Sequence, residues 1–271
     1  MDKQKVITEL EREIEFYSEH TRRQYRAHVG DYLRFVGNRN WQDRDVLYNY
    51  IEKLRKKGRS QNHITYLVRG PLGALFRAHG LRVPVKLPKF RGVQVDLTAR
   101  VSFDFQDVVK LIQAVRTSGN QQWQAIMALS TIWGLRAGEI RQLTKKDVRA
   151  KDHTIMIYTT KGGMPREHLI PDEVYPILTA YDFPPLSESG VFDLFTEISE
   201  YAGVARVSKK VYHAIRHTVL TQLLLNGVEE VIAKQFLRWR IAGIVGVYFT
   251  PKAIDIDERV YPKHPFLKYW S

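Results

Sequence analysis

The sequence predicts a mostly α-helical protein with a small β-hairpin, divided into a helical N-terminal domain and an α+β C-terminal domain. Three observations carry that expectation. Apolar residues recur at helical spacing along most of the chain, as in Tyr25, Val29, Tyr32, Leu33 and Val36. The period changes to alternation in His153-Thr-Ile-Met-Ile-Tyr-Thr159, where Ile155 and Ile157 share a face. Between the two patterns lies a basic, extended stretch from Val83 to Val93, with Pro84, Pro88 and Gly92. Proline lacks a backbone donor and disfavours helix in the residue before it. The expected divisions are a helical domain over 1–88, a linker over 89–100 and a second domain over 101–271 that ends in a tail.

Three or four helices are expected before the linker. Leu10, Ile14 and Tyr17 step at helical spacing, and Thr21 is the expected N-cap of the stripe that runs from Tyr25 to Val36. Val46, Tyr50, Ile51 and Leu54 form the next stripe, which Arg55, Lys56, Lys57 and Gly58 terminate. Ser60 suits the cap of a last helix containing Ile64, Leu67, Val68, Leu72, Leu75 and Phe76, which Pro71 kinks or divides. After the linker, Val108, Leu111, Ile112 and Val115 mark one helix. Ile126, Leu129, Ser130 and Trp133 mark a second, stopped by Gly134, and a third starts at Glu139 to Leu143. Arg166 to Pro171 is the second strand of the hairpin, with Lys161-Gly162-Gly163 supplying the turn. Val211 to Leu225, Val231 to Leu237 and Gly243 to Phe249 read as further helices.

Composition narrows the function. The 271 residues are 44% hydrophobic, which suits globular domains, and contain no cysteine, which removes thiol nucleophiles, disulfides and Cys-ligated metal. No apolar run is long enough to span a bilayer and no apolar signal core follows Met1, so the expected setting is soluble and cytoplasmic. The net charge of +13 points to a polyanion, above all nucleic acid; a basic surface kept for solubility is the blander reading. The first hundred residues hold 21 Lys/Arg against 11 Asp/Glu, net +10, whereas 101–271 hold 21 against 18, net +3. Arg22, Arg23, Arg26, Lys56, Lys57, Arg59 and Arg69 are the expected phosphate contacts, although each taken singly reads as a solvated surface cation.

Common catalytic constellations are absent: no His-Glu-x-x-His, no Walker loop, no Gly-x-Ser-x-Gly. His213 and His217 stand four apart on one helix, but no third ligand lies nearby in sequence, so no metal and no cofactor is expected. What remains is a set of cations and a candidate nucleophile. Arg136 sits in Gly134-Leu-Arg-Ala-Gly-Glu-Ile140, and Lys161 sits on the hairpin turn. His213 and Arg216 project from one helix face in Tyr212-His-Ala-Ile-Arg-His217. Trp239 follows in Phe236-Leu-Arg-Trp-Arg240, and Tyr248 comes nine residues later. Each has an ordinary alternative: a helix-cap cation, a turn lysine, an interface histidine, a core tryptophan, one packing tyrosine among 14.

In order and spacing, over roughly 120 residues, these segments resemble a tyrosine site-specific recombinase, the family of phage integrases and Xer-type resolvases. Gly134 to Ile140 resembles the first arginine box, and His213 to Gly227 the second. Thr160-Lys-Gly162 resembles the hairpin lysine, and Tyr248-Phe-Thr250 the nucleophile segment. The resemblance implies a helical core-binding domain plus an α+β tyrosine-recombinase catalytic domain. It implies Arg136 and Arg216 as forks on the scissile phosphate, Tyr248 as nucleophile and Lys161 as acid for the leaving oxygen. It further implies His213 in proton transfer, Trp239 as an indole donor, and Glu139 and His217 in support.

The family commonly has Leu-Gly-His where this chain has Leu237-Arg238-Trp239, so Arg238 stands in a glycine's place. Tyr261 and Tyr269 are rival nucleophiles without the expected spacing. The implied partner is double-stranded DNA, with a homotetramer assembling on two sites from a protein that is monomeric in solution. Alternatives are a type IB topoisomerase-like enzyme and a non-catalytic DNA-binding protein with the same fold. No extra arm-binding domain is expected ahead of residue 1, an expectation that favours a simple recombinase. Val260, Tyr261, Phe266, Leu267, Tyr269 and Trp270 make the tail apolar enough to need a socket, on its own domain or on a neighbour.

Overall fold

Helices in the N-terminal unit follow their apolar stripes and local caps closely. Helix α1 (Lys3–Glu13) buries Val6 and Leu10. It ends before Tyr17, which stays at the surface. The N-cap of α2 (Glu19–Val36) is Ser18 rather than Thr21: the Thr21 amide donates to Ser18 Oγ at 3.3 Å, placing Thr21 inside the first turn. Asp43 caps α3 (Arg44–Lys56), and Ser60 caps α4 (Gln61–Arg69) by accepting from the His63 amide at 3.2 Å. Pro71 divides the expected last helix. It occupies the first turn of α5 (Pro71–Ala78), where a missing N–H is tolerated, and the described residues before the linker form five helices rather than three or four. Helix α5 is buried from Pro71 to Phe76 and packs against α1, α2 and α4. Tyr32 closes the unit by donating to the Trp41 carbonyl at 2.6 Å.

This computed structural model describes residues 3–86, 102–159, 163–205, 211–239 and 252–271. The chain divides into two compact units, 1–96 and 97–271. The whole of the expected linker over 89–100, and the expected helix over 243–249, lie outside the described residues.

In the second unit, α6 (Phe105–Thr117) and α7 (Gln121–Ile132) pack together, and α7 is buried from Ala125 to Ile132. Helix α8 (Ala137–Gln142) leads to a three-stranded antiparallel sheet rather than a lone hairpin: β1 (Val148–Arg149), β2 (Thr154–Ile157) and β3 (Arg166–Leu169), in that order. Ile155 pairs with His168, and Ile155 and Ile157 are fully buried. Then come α9 (Tyr175–Ala180) and α10 (Glu188–Tyr201), neither of which the sequence pattern singled out. Helices α11 (Val211–Leu225) and α12 (Glu230–Phe236) follow as expected. A last helix, α13 (Ala253–Val260), packs on β3 and α12.

The tail beyond α13 docks on its own unit. Phe266 is fully buried and stacks on Phe105, with ring centroids 5.2 Å apart. The Trp270 indole donates to Thr131 Oγ1 at 3.1 Å, and Arg116 Nη1 donates to the Tyr269 carbonyl at 2.8 Å.

Candidate active site

Gly134 shapes the site twice. Its φ of +57° turns the chain out of α7. A Cβ there would also lie 2.9 Å from Leu237 Cδ2 and 3.2 Å from Arg216 Cγ. The close approach that glycine permits brings the 134–136 turn against α11 and the end of α12.

Arg136 then occupies the N-cap of α8 in extended conformation and remains partly exposed. Glu139, one turn later and buried, accepts from the Arg136 amide at 3.0 Å and from Arg136 Nη1 at 2.7 Å, so each carboxylate oxygen holds one end of the same residue. Arg216 enters from α11 with 1% of its surface exposed. Its Nη1 donates to the Gly134 carbonyl at 2.8 Å and lies 3.9 Å from Glu139 Oε2, and its Nη2 donates to the Leu237 carbonyl. Arg216 Nε is buried with no partner among the described residues. The half-buried Trp239 ring lies beside the guanidinium, whose carbon is 5.5 Å from the ring centroid.

A third arginine joins them that the sequence pattern did not place in the site. Arg238, also 1% exposed, donates from Nη2 to Glu139 Oε2 at 3.2 Å and to the Trp133 carbonyl at 3.0 Å. Burial alone would raise the Glu139 pKa. The charge of Arg238, the Arg136 amide, and the charges of Arg216 and Arg136 outweigh that and hold it below the usual carboxylate value. Arg216 shows the converse: burial first, then the positive charges of Arg238 and Arg136, push its pKa well down, with Glu139 opposing. One carboxylate thus faces three guanidiniums, a local excess of positive charge suited to an anion.

The other expected residues are less uniform. His213 is exposed although it lies one turn before the buried Arg216. His217 is exposed as well, and its pKa is lowered by partial desolvation and by Arg216. Lys161 and Tyr248 lie outside the described residues. Tyr261 is unsuited to act as a nucleophile. Its hydroxyl donates to the Leu169 carbonyl at 2.5 Å and accepts from the Trp133 indole at 3.0 Å, and burial, with Asp257 nearby, raises its pKa well above the phenol value. Tyr269 packs edge-on against Phe105 in the docked tail.

In the N-terminal unit, Arg23, Lys56, Lys57, Arg59 and Arg69 are exposed, whereas Arg22 is half-buried beside Glu19. Arg26 is held by Glu11, at 2.5 and 2.8 Å, and by Glu19 at 3.2 Å. Helices α2 and α4 also bring His28 to within about 6 Å of His63 and Tyr66, a cluster formed by residues 35 or more apart in the chain.

Comparison with known proteins identifies the family. Residues 102–253, more than half of the chain, match the phage integrase family. The chain is 26% identical over 254 residues to tyrosine recombinase XerA of Thermococcus kodakarensis, covering 83% of each chain. It is 27% identical over 156 residues to XerA of Saccharolobus solfataricus, a match spanning 56% of this chain and half of that relative's length. Among solved structures, a lambda integrase tetramer bound to a Holliday junction shares the fold, with a TM-score of 0.65 at 15% identity over 92% of this chain and 77% of that one. The arginine-bearing turn, the strands β2 and β3 and helices α11 and α12 fall within the matched region, and the chain belongs to the phage integrase family of tyrosine recombinases.

Proposed function

We propose that this protein is a site-specific DNA recombinase or integrase that cuts and rejoins duplex DNA through a 3′-phosphotyrosine formed by Tyr248, without metal or ATP. The observation that carries the reading is the convergence of Arg136 and Arg216 on buried Glu139 beside Trp239. A phosphodiester in displacement spreads negative charge over its nonbridging oxygens, and preorganised guanidinium donors stabilise that charge more than they stabilise the ground state. Arg136 presents an accessible guanidinium, and Arg216 retains a buried Nε donor that a phosphate oxygen satisfies.

The Tyr248 oxygen attacks phosphorus and the bond to the 5′-oxygen breaks. Lys161, on the hairpin turn, delivers the proton that the 5′-oxygen needs, and His213 moves the proton at the nucleophile. The covalent ester keeps the energy of the broken bond. Attack by a 5′-hydroxyl reverses the step and rejoins the strand, and for that reason no ATP enters. The basic N-terminal unit holds the duplex, and recombination proceeds in a homotetramer on two sites.

Incubation with a nicked duplex carrying the recombination site tests the reading. The wild type should form a covalent adduct that Tyr248→Phe cannot form while DNA binding persists. Arg216→Lys, which keeps the charge and loses the fork, should cleave about two to three orders of magnitude more slowly. An adduct mapping to another tyrosine, or undiminished cleavage by the lysine variant, would overturn the assignment.

A further inference from the structure

We infer that Arg238 is a positioning residue for strand cleavage, which locks Glu139, and through it Arg136 and Arg216, to the wall formed by β3 and α13. This rests on the reading that those two arginines hold the scissile phosphate.

The backbone around Arg238 supplies the first argument. Helix α12 ends in a Schellman turn: the Arg238 amide donates to the Gln235 carbonyl and the Trp239 amide to the Lys234 carbonyl, both at 2.8 Å. The left-handed residue of such a turn is usually glycine, yet Arg238 adopts a φ of +59°. The chain thus accepts an unfavourable conformation for a side chain, and that side chain points inward and is buried.

Its contacts supply the second. Nη2 reaches Glu139 at 3.2 Å, and Nη1 lies 3.4 Å from His168 Nε2. A guanidinium can only donate, so His168 Nε2 accepts and its proton sits on Nδ1, which donates to Asp257 Oδ1 at 2.9 Å. Asp257 Oδ2 in turn accepts from the Leu169 amide at 2.7 Å. A continuous buried chain of polar groups therefore runs from Glu139 through Arg238 and His168 to Asp257. Asp257 lies on α13, the helix that follows the segment carrying Tyr248. The Arg238 carbonyl also abuts Gly163, three residues before β3, where a Cβ would lie 2.5 Å from it.

Charge supplies the third. Glu139 is faced by Arg136 from its own helix end, by Arg216 from α11 and by Arg238 from the end of α12. Arg238 is faced by Glu139 and His168, with Arg136 and Arg166 nearby. Removing Arg238 takes away the cation that lowers the Glu139 pKa most. Glu139 would then protonate at higher pH and release its grip on Arg136.

Two measurements on the full chain test this. In single-turnover cleavage of the nicked duplex at saturating protein, Arg238→Met should lower the rate constant about ten- to a hundredfold, as expected for misaligned catalytic groups, while DNA affinity is unchanged. The acid limb of its pH–rate profile should move to higher pH, and Arg238→Lys should restore both rate and profile in part. Separately, thermal melting of Arg238→Met, Glu139→Gln and the double variant should show coupling, the double variant losing less than the sum of the two single losses. Additive melting losses would overturn the link whatever the enzyme's activity. An unmoved pH profile, with cleavage recovering fully on cooling, would reduce Arg238 to packing. A wild type that forms no adduct would instead refute the reaction reading and leave the melting test to decide the link.

Discussion

The two units use arginine in opposite ways. On the N-terminal unit, Arg26 meets Glu11 and Glu19 with its side chain 40% exposed. In the C-terminal unit, Arg238 and Glu139 meet with side chains at 0% exposure, and Arg216 lies beside them at 2%. The bond types are alike and the distances similar, so geometry alone does not separate them. Solvent does. Water screens the first pair, so its charges exchange partners at little cost. The second group is shut off from solvent, so removing its single carboxylate leaves uncompensated charge in the interior.

The largest effect expected from that contrast comes from deleting the shared carboxylate. Glu139→Ala leaves three guanidiniums without their anion and should cost about 3–5 kcal/mol of stability, against about 1 kcal/mol or less for Glu11→Ala. Urea unfolding of the two variants decides it, and equal losses would break the distinction between the units.

A buried titratable group in the tail sharpens the same contrast through pH. His264 Nε2 donates to the Ile132 carbonyl at 2.9 Å, its Nδ1 accepts from the Phe266 amide, and burial pushes its pKa down to about 4. The neutral ring is the folded form. Its contribution is therefore complete above the unfolded value of about 6.5 and is lost as pH falls from there towards 4, on the order of 3 kcal/mol in all. Stability measured between pH 7 and pH 4 should fall less steeply in His264→Gln than in the wild type. Identical slopes would mean that the ring titrates as freely as a surface histidine.

The smallest effect belongs to the exposed side. Arg26→Ala should leave stability nearly unchanged. It should also lower the slope of log affinity for duplex DNA against log salt by about one, if Arg26 leaves Glu11 for a phosphate. An unchanged slope would confine Arg26 to its acidic partners.

Much of this molecule is legible from neighbouring residues alone. The stripes on α2, α3 and α7, the cap at Ser60, the break at Pro71 and the strand at Ile155 depend on spacing and on backbone chemistry within a few positions. Ser18 and Thr21 are equally good cap types one turn apart, and only the hydrogen bond distinguishes them. Helix α9 has only six residues, whereas α10 carries a regular stripe, Val191, Phe195 and Ile198, that is legible in the chain and fully buried. Within the candidate site, Gly134-Leu-Arg and the His213–Arg216 helix stand out in the chain because each is a short segment.

The sequence by itself determined the helical character of both units, the turn that carries Arg136 and the residue types able to bind a phosphate. Only the tertiary structure decided which groups meet. Arg238 reads locally as a misplaced residue in a helix stop; 99 positions separate it from Glu139, and folding makes it that carboxylate's partner. Tyr261 reads as a rival nucleophile, and its hydroxyl is taken by Leu169, 92 positions away. The tail reads as apolar in search of a socket, and it seats in its own unit on Phe105 and Thr131. The physical reason is common to all three. Propensity, capping and turn chemistry act over a few residues, whereas burial and charge compensation depend on distance in space, which the order of residues does not encode locally.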